Sequence, residues 1–518
     1  MATNYTSKKL SFNNAEQFKE SFFEPEPATV GYVFVGNHVP YANESSPNSI
    51  VDSTFDEKSV WDNMFAAKKI TGNDVELVIP RVNWTANTKY KQFDDKIAID
   101  DLLTGNTTLN VKPMYIITSE RNVYKCLANN ASANSTVEPT GDYTTANGTI
   151  STADGFIWKY LYNVKPSNRF LTSEWVPAPI STNKLDYNVS SAGVIDGEVT
   201  TIIVTNNGTG YAHPTINASA FGTGVTTITL ANTTNVAANM IVTGTGIASG
   251  TLVSSVNVIN STIVLNTATT ANGGGTTANN LTFITRVYIQ GDGEGLQASA
   301  NLSSNGTVSK VTIDVTGVGY SYANATIYGS GTGAATRVVL PPKFGHGFNP
   351  AKELDAMNVM VSERIGSVDS TENGLISTAT SFRQYGLLRD PYKYGNTSPV
   401  ISSNANTFIS QTTNLTLIAG TDFELNEFVY QGVSANNAYF YGFVNAQSSN
   451  EVRLTKVRGT VAVGGLLVGA NSGVNRTVVR KFDPEFQPYT GDILYVENTQ
   501  KIQRADGQAE NVKFVIRF

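Results

Sequence analysis

A chain of 518 residues with 42 acidic and 36 basic side chains carries a net charge of −6 and is too long for one hydrophobic core, so several compact units are expected. Only 15% of its residues are charged, and no run of Lys or Arg interleaves with aromatics, which argues against nucleic acid as a partner. No apolar run approaches the roughly 18 residues of a membrane span, and the first residues lack a signal-peptide core, so synthesis in the cytoplasm without membrane insertion is expected. The composition is filled out by Asn, Thr, Ser and 44 Gly, with 23 Tyr and 24 Phe. β-branched and aromatic residues favour pleated surfaces, and Gly, Asn and Asp supply turns, so the expected fold class is mainly β and multidomain.

In chain order, Asn14-Ala15-Glu16-Gln17 reads as a capping box opening a short helix on which Phe18 and Phe22 share a face. Val60, Trp61, Met64 and Phe65 behind Ser59 have helical spacing and predict a second helix. Strands are expected at Gly31 to Val35, Val75 to Ile79, Met114 to Thr118, Val123 to Leu127 and Phe156 to Tyr162, the third and fourth forming a hairpin. Cys126 is the only cysteine, which excludes an intrachain disulfide and reads as a small buried hydrophobe. The abundant Asn-x-Ser/Thr triplets are what an Asn- and Thr-rich chain makes by chance.

From Gly193 the texture becomes uncharged, and an internal repeat appears. Gly197-x-Val199-x-x-Ile202-x-Val204-x-x-x-Gly208-x-Gly210-Tyr211 matches Gly306-x-Val308-x-x-Val311-x-Ile313-x-x-x-Gly317-x-Gly319-Tyr320 without a gap. Thr285-Arg286-Val287 and Thr336-Arg337-Val338 follow the two copies, the first after an inserted module at residues 225–284. Asn349-Pro350-Ala351 predicts an N-cap with proline at the first helical position, opening a short helix through Leu354 and Met357. Strands at Phe428 to Gly432, Ala438 to Phe443, Glu451 to Leu454 and Gly464 to Gly469 suit a small barrel or sandwich. Further strands are expected at Gly491 to Val496 and Val512 to Ile516.

The expected organisation is a scaffold domain of residues 1–192 completed by 341–399 and 481–518. A duplicated Gly/Thr-rich β insert occupies 193–340 with the nested module 225–284, and a small barrel-like insert occupies 400–480. The modules read as β-sandwiches or barrels, with a few short helices in the scaffold.

Catalytic signatures are missing. His38, His213 and His346 have no neighbours at metal-ligand spacing, and there is no Gly-x-Ser-x-Gly elbow, phosphate loop or His-Glu-x-x-His. Gly244 to Gly250 has the wrong spacing for a nucleotide fingerprint. Gly291-Asp292-Gly293-Glu294-Gly295 offers carboxylates to a calcium ion but falls short of an EF-hand, and a solvated turn is the expected reading. The adjacent pairs Asp94-Asp95 and Asp100-Asp101 are expected to point apart. No catalytic, cofactor-binding or metal-ligating residue is nominated.

Several phrases together carry a resemblance: Tyr32-Val33-Phe34-Val35-Gly36, Val78-Ile79-Pro80-Arg81-Val82-Asn83-Trp84, Tyr124-Lys125-Cys126-Leu127, Asp154 to Leu161, Phe382-Arg383-Gln384 and Gly491 to Asn498. Their order resembles the baseplate wedge subunit encoded by gene eight of T-even-like contractile-tailed phages, over roughly residues 1–180 and the last 35, with a bridge near 375–395. The resemblance implies a non-enzymatic virion protein of the tail baseplate, a homodimer that joins other baseplate wedge proteins and takes part in rearrangement on host attachment. The segments 193–340 and 400–480 depart from that family's pattern, and Trp84 and Trp158 read as core. Two other classes compete: a host glycan-binding tail protein using aromatic clusters such as Tyr320-Ser321-Tyr322 or Tyr439-Phe440-Tyr441, and a polysaccharide-degrading enzyme, which needs convergent carboxylates.

Overall fold

The computed structural model describes residues 8–23, 29–180, 193–276, 279–366, 376–396, 408–503, 505 and 507–518. The expected junctions at 192 and at 399–400 lie outside the described residues. The protein is mainly β, built of many sheets with a few short helices, and it divides into two compact units, residues 1–79 with 356–518 and residues 80–355. The change of texture at Gly193 falls inside the second unit.

In the first unit, the opening helix runs Lys8–Glu20, so Asn14 sits in its middle and starts nothing. Phe12 and Ala15 already share the buried face at helical spacing before the capping-box spelling ends. Phe18 and Phe22 meet as expected, with ring centroids 5.2 Å apart. The second helix, Thr54–Asn63, is capped by Ser53, whose side chain accepts from the Asp56 N–H, and not by Ser59. Its first turn is polar apart from Phe55, which is 80% exposed, so the apolar spacing begins only at Val60. Met64 then leaves in extended geometry, and Met64 and Phe65 open the strand Met64–Lys69 instead of continuing the helix.

Five strands of this unit pair in the order Phe408–Ser410, Met64–Lys69, Gly31–Gly36, Phe382–Arg389, Asp492–Ile502. Val75–Pro80, Asn358–Ile365 and Glu510–Arg517 pair in a second sheet. Phe514 on the last strand packs against Tyr385 and Tyr495 of the first sheet at 5.6 and 5.3 Å. Tyr32, Phe34, Val60, Trp61, Leu388, Ile409 and Phe486 form one buried core. A closed barrel of six strands follows, Thr413–Leu417, Glu451–Gly459, Ala438–Ser448, Phe428–Gly432, Leu466–Gly469 and Asn475–Phe482 in spatial order. Its interior is filled by a continuous aliphatic cluster around Phe423 and Phe440. Closure leaves it without an exposed sheet edge.

In the second unit, Tyr115–Ile117, Asn122–Asn129, Phe156–Asn163 and Thr149–Ser151 form an antiparallel sheet in that order, and the expected hairpin pairs Ile116 with Tyr124. Cys126 and Trp158 face each other across it, both fully buried. The short helix Pro350–Glu353 is capped by Asn349, whose side chain accepts from Lys352 N–H at 2.9 Å; it ends before Leu354.

The two repeat copies share conformation as well as spelling. Gly197 and Gly306, Gly208 and Gly317, and Gly210 and Gly319 all have φ between 60° and 78°, a region that glycine enters at no steric cost. Thr201–Thr209 of the first copy pairs with Thr332–Val339 of the second, and Val308–Val315 of the second pairs with Gln297–Leu302 of the first. Arg286–Gly291 and Ala323–Tyr328 pair between them. Each copy therefore completes its partner's sheet. Between the first copy's opening strand and Arg286, the strands from Thr215–Ile216 to Leu281–Ile284 make a module with its own core of Ile228, Met240, Val242, Ile263 and Phe283. Its first strand lies ahead of residue 225 because Ile216 pairs with Leu281 at the module's closing strand.

Candidate functional site

The most concentrated chemistry is a buried ionic cluster in the second unit. Lys125 and Lys159 stand opposite each other on neighbouring strands, each 1% exposed. Lys125 Nζ lies 2.9 Å from Glu353 Oε2 and 3.0 Å from His346 Nδ1, over the Phe93 ring at 3.9 Å. Lys159 Nζ donates to the carbonyls of Gly193 and Asn147 at 2.7 and 3.0 Å and lies 3.3 Å from Glu198. Glu353 Oε1 accepts the Gly347 N–H at 2.6 Å, which fixes the Gly345-His346-Gly347 turn. That turn needs glycine: Gly345 has φ +90°, and a Cβ there would stand 2.3 Å from the Ile195 carbonyl.

Two lysines facing two glutamates balance to zero charge, and buried charges persist only when paired in this way. Burial pushes His346 down to about 4, helped by the neighbouring ammonium groups, so the ring is neutral at pH 7. Burial would raise Glu353, but the Lys125 ammonium and His346 outweigh it and hold the carboxyl at about 2. The cluster ties the 193–198 and 345–353 segments to the central sheet.

His38 sits in the other unit, fully buried, with Nδ1 2.6 Å from Asn426 Oδ1 and Nε2 2.5 Å from Thr455 Oγ1. Burial lowers it to about 4 as well. His213 is exposed, and the partial desolvation it does meet lowers it in the same direction. Cys126 is completely buried, and desolvation raises its thiol well above the ordinary range. Among the described residues no group of three His, Cys, Asp or Glu is placed to hold a metal ion.

Asp292 is fully engaged as a turn anchor. Its carboxylate accepts the N–H groups of Ser321 and Tyr322 at 3.0 and 2.9 Å and the Ser321 hydroxyl, and these bonds, the hydroxyl's first, hold it at about 2. Asp94 and Asp95 do not point apart: both reach the guanidinium of Arg337, Asp95 at 2.8 Å. The planar fork of Arg presents donors on two nitrogens, so one side chain gathers two carboxylates adjacent in the chain.

An open polar cavity of about 490 Å³ is lined by Glu120, Asn122, Asp142, Thr144, Tyr160 and Asn163. Asn163 Nδ2 donates to Asn122 Oδ1 at 2.8 Å, and Asp142 accepts the Thr144 N–H at 2.8 Å, so part of its wall is pre-ordered. Glu120 and Asp142 are the carboxylates that an enzymatic reading would have to test first. Of the aromatic clusters, Tyr320 is 7% exposed and Tyr322 53%, while Phe440 is buried and Tyr439 56% exposed, as strand alternation requires. Trp158 is buried, and Trp84 packs part-buried against the same core.

The lysines were invisible to sequence reasoning, because Lys125 and Lys159 lie in strand alternations where a lysine normally faces water. Their carboxylate partners lie 228 and 39 residues away in sequence. No protein-family model and no curated protein matches this chain.

Proposed function

We propose that this chain is a structural subunit of the tail baseplate wedge of a contractile-tailed phage, a non-catalytic homodimer that holds neighbouring wedge proteins. The observation that carries the reading is where the resembling phrases lie. Gly36, Gln384 and Asn498 come from three phrases hundreds of residues apart and occupy one row across three adjacent strands. Gln384 Nε2 donates to Asn498 Oδ1 at 2.9 Å within that row. In the second unit, Cys126 and Trp158, from two further phrases, face each other across a strand pair. The phrases are thus parts of packed sheets, which supports their reading as the signature of a shared scaffold.

The test is immunogold labelling of intact contractile tails with an antibody against residues 193–340, with light scattering on the purified chain. Label at the baseplate and a mass twice 55.5 kDa are expected. Particles without label would overturn the baseplate assignment, and a monomer at every concentration would overturn the dimer. A second reading, contact with a host-surface glycan through the inserted modules, draws on the exposed Tyr322 ring. Binding of the full chain on a glycan array, lost with Tyr322→Ala, would favour it.

A further inference from the structure

The barrel's outer wall carries apolar surface that its fold does not use. Val429 and Gln431 of Phe428–Gly432 point inward and are fully buried, so Phe428 and Tyr430 face outward. Across the pair, Phe428 stands opposite Phe443 and Tyr430 opposite Tyr441. The Phe428 ring lies 5.2 Å from that of Tyr441, 5.5 Å from Phe443 and 6.1 Å from Tyr430, making one continuous aromatic surface. Tyr439 extends it at one end, 56% exposed, and Leu466 on the adjoining strand is also 56% exposed.

Cross-strand aromatic pairs stabilise sheets on their own, and that accounts for Phe428–Phe443 and Tyr430–Tyr441. It does not account for Tyr439 and Leu466 at one end of the surface or for the cation beside Phe443 at the other. Lys456 sits at a register shift with φ +51°, its Nζ 5.6 Å from the Phe443 ring centroid. It is half-buried and, among the described residues, has no hydrogen bond or ion pair. The nearby carboxylate, Asp62, is already held by Arg458 and by the Tyr489 hydroxyl at 2.6 Å. A half-desolvated ammonium with only a ring for company leaves its hydrogen-bond capacity unspent.

We infer that this outer face of the barrel is a docking surface for a protein segment that lays an apolar side chain across the Phe428–Tyr441 aromatics and pairs a carboxylate with Lys456. Aromatic side chains are enriched in protein interfaces and carry much of their binding energy, and a charge-assisted bond to Lys456 supplies orientation. A neutral sugar would cover the rings but offer the ammonium only uncharged hydroxyls, and for that reason a protein segment bearing a carboxylate fits better. The inference holds for this barrel whether or not the chain sits in a baseplate.

A displayed random peptide library selected on the full chain and counter-selected on its Tyr441→Ala variant tests it. Enriched peptides should carry Asp or Glu beside Leu, Ile or an aromatic. The best of them, made synthetically, should bind about ten-fold or more weakly to Lys456→Met while keeping most of its affinity for Lys456→Arg. Neither side chain is in the barrel interior, so the Lys456 variants should unfold at the parent's temperature and Tyr441→Ala should still unfold cooperatively, somewhat earlier for the lost contact with Phe428. Peptides without acidic residues, or affinity indifferent to Lys456→Met, would overturn the inference. So would a neutral glycan whose binding is lost with Tyr441→Ala, or self-association lost with that variant, which would make the occupant a sugar or a second copy.

Discussion

The backbone N–H of Tyr211 donates to the carbonyl of Gly306 at 2.9 Å, and the N–H of Tyr320 returns a bond to the carbonyl of Gly197 at 3.3 Å. The last residue of each repeat thus binds the first residue of the other. Each tyrosine ring then lies over glycines of a turn: a Cβ on Gly331 would stand 2.4 Å from the Tyr211 ring, and one on Gly293 2.5 Å from the Tyr320 ring. The duplication is therefore an interlocked pair, and neither copy has a complete sheet alone.

Substitution at the interlock should be unequal. A Cβ on Gly197 would stand 2.1 Å from Tyr320 N, against backbone that cannot yield, whereas one on Gly306 would stand 3.1 Å from the Tyr211 carbonyl. Both have positive φ. Gly306→Ala should cost about 1–2 kcal/mol from backbone strain alone, and Gly197→Ala clearly more. Gly224→Ala, with positive φ and open space, is the control for strain without collision. Denaturant titration of the three variants gives the ranking, and equal losses at Gly197 and Gly224 would contradict the collision.

Removing Lys125 should be severe. Lys125→Met strands the buried Glu353 carboxylate, and breaking one side of a buried pair costs about 3–5 kcal/mol. The double variant Lys125→Met/Glu353→Leu removes both charges and should recover much of that loss. Chemical denaturation of the two variants decides it; equal losses would mean that the pair's packing, and not its charge, is what matters.

What could be read in the sequence follows from how local each signal is. Phe428–Gly432 was expected at those bounds, because alternating aromatics between glycine-rich turns depend on neighbours alone. The repeat was legible for the same reason, since its glycines must each enter positive φ. Helix starts were misread where the deciding residue was far away: Ser53 caps its helix while the apolar spacing begins at Val60. The ionic cluster was not legible at all, because nothing near Lys125 announces Glu353. The fork of Arg337 onto Asp94 and Asp95 is equally non-local.

That fork should distinguish arginine from lysine. Arg337→Lys keeps the charge but cannot span both carboxylates, and about 1 kcal/mol or less should be lost because the groups are partly solvated. The loss should shrink further in high salt. Denaturation at low and high ionic strength measures both effects, and a loss that is independent of salt would point to packing of the guanidinium stem.

Two buried groups should pull stability in opposite directions over the same pH window. The folded-state pKa of His346 is depressed from 6.5 to about 4 by burial. Its contribution is fully present above 6.5 and is lost as pH falls from there toward 4, by about 3 kcal/mol. Glu363 runs the other way. Its side chain is 1% exposed, and burial, helped by the Asp74 carboxylate, raises it to about 7 even though Lys68 Nζ lies 2.6 Å away and pulls it down. Its contribution is therefore full below about 4.5 and fades as pH rises through 7, by an amount of similar size. His346→Gln should remove the gain in stability between about pH 4 and 6.5, and Glu363→Gln the loss between about 4.5 and 7, so the two variants bend the same window in opposite directions. Thermal denaturation of both variants across pH 4–8 tests this, and a Glu363→Gln curve that keeps the parent's profile between pH 4.5 and 7 would show that the Lys68 ion pair, and not burial, governs that carboxyl.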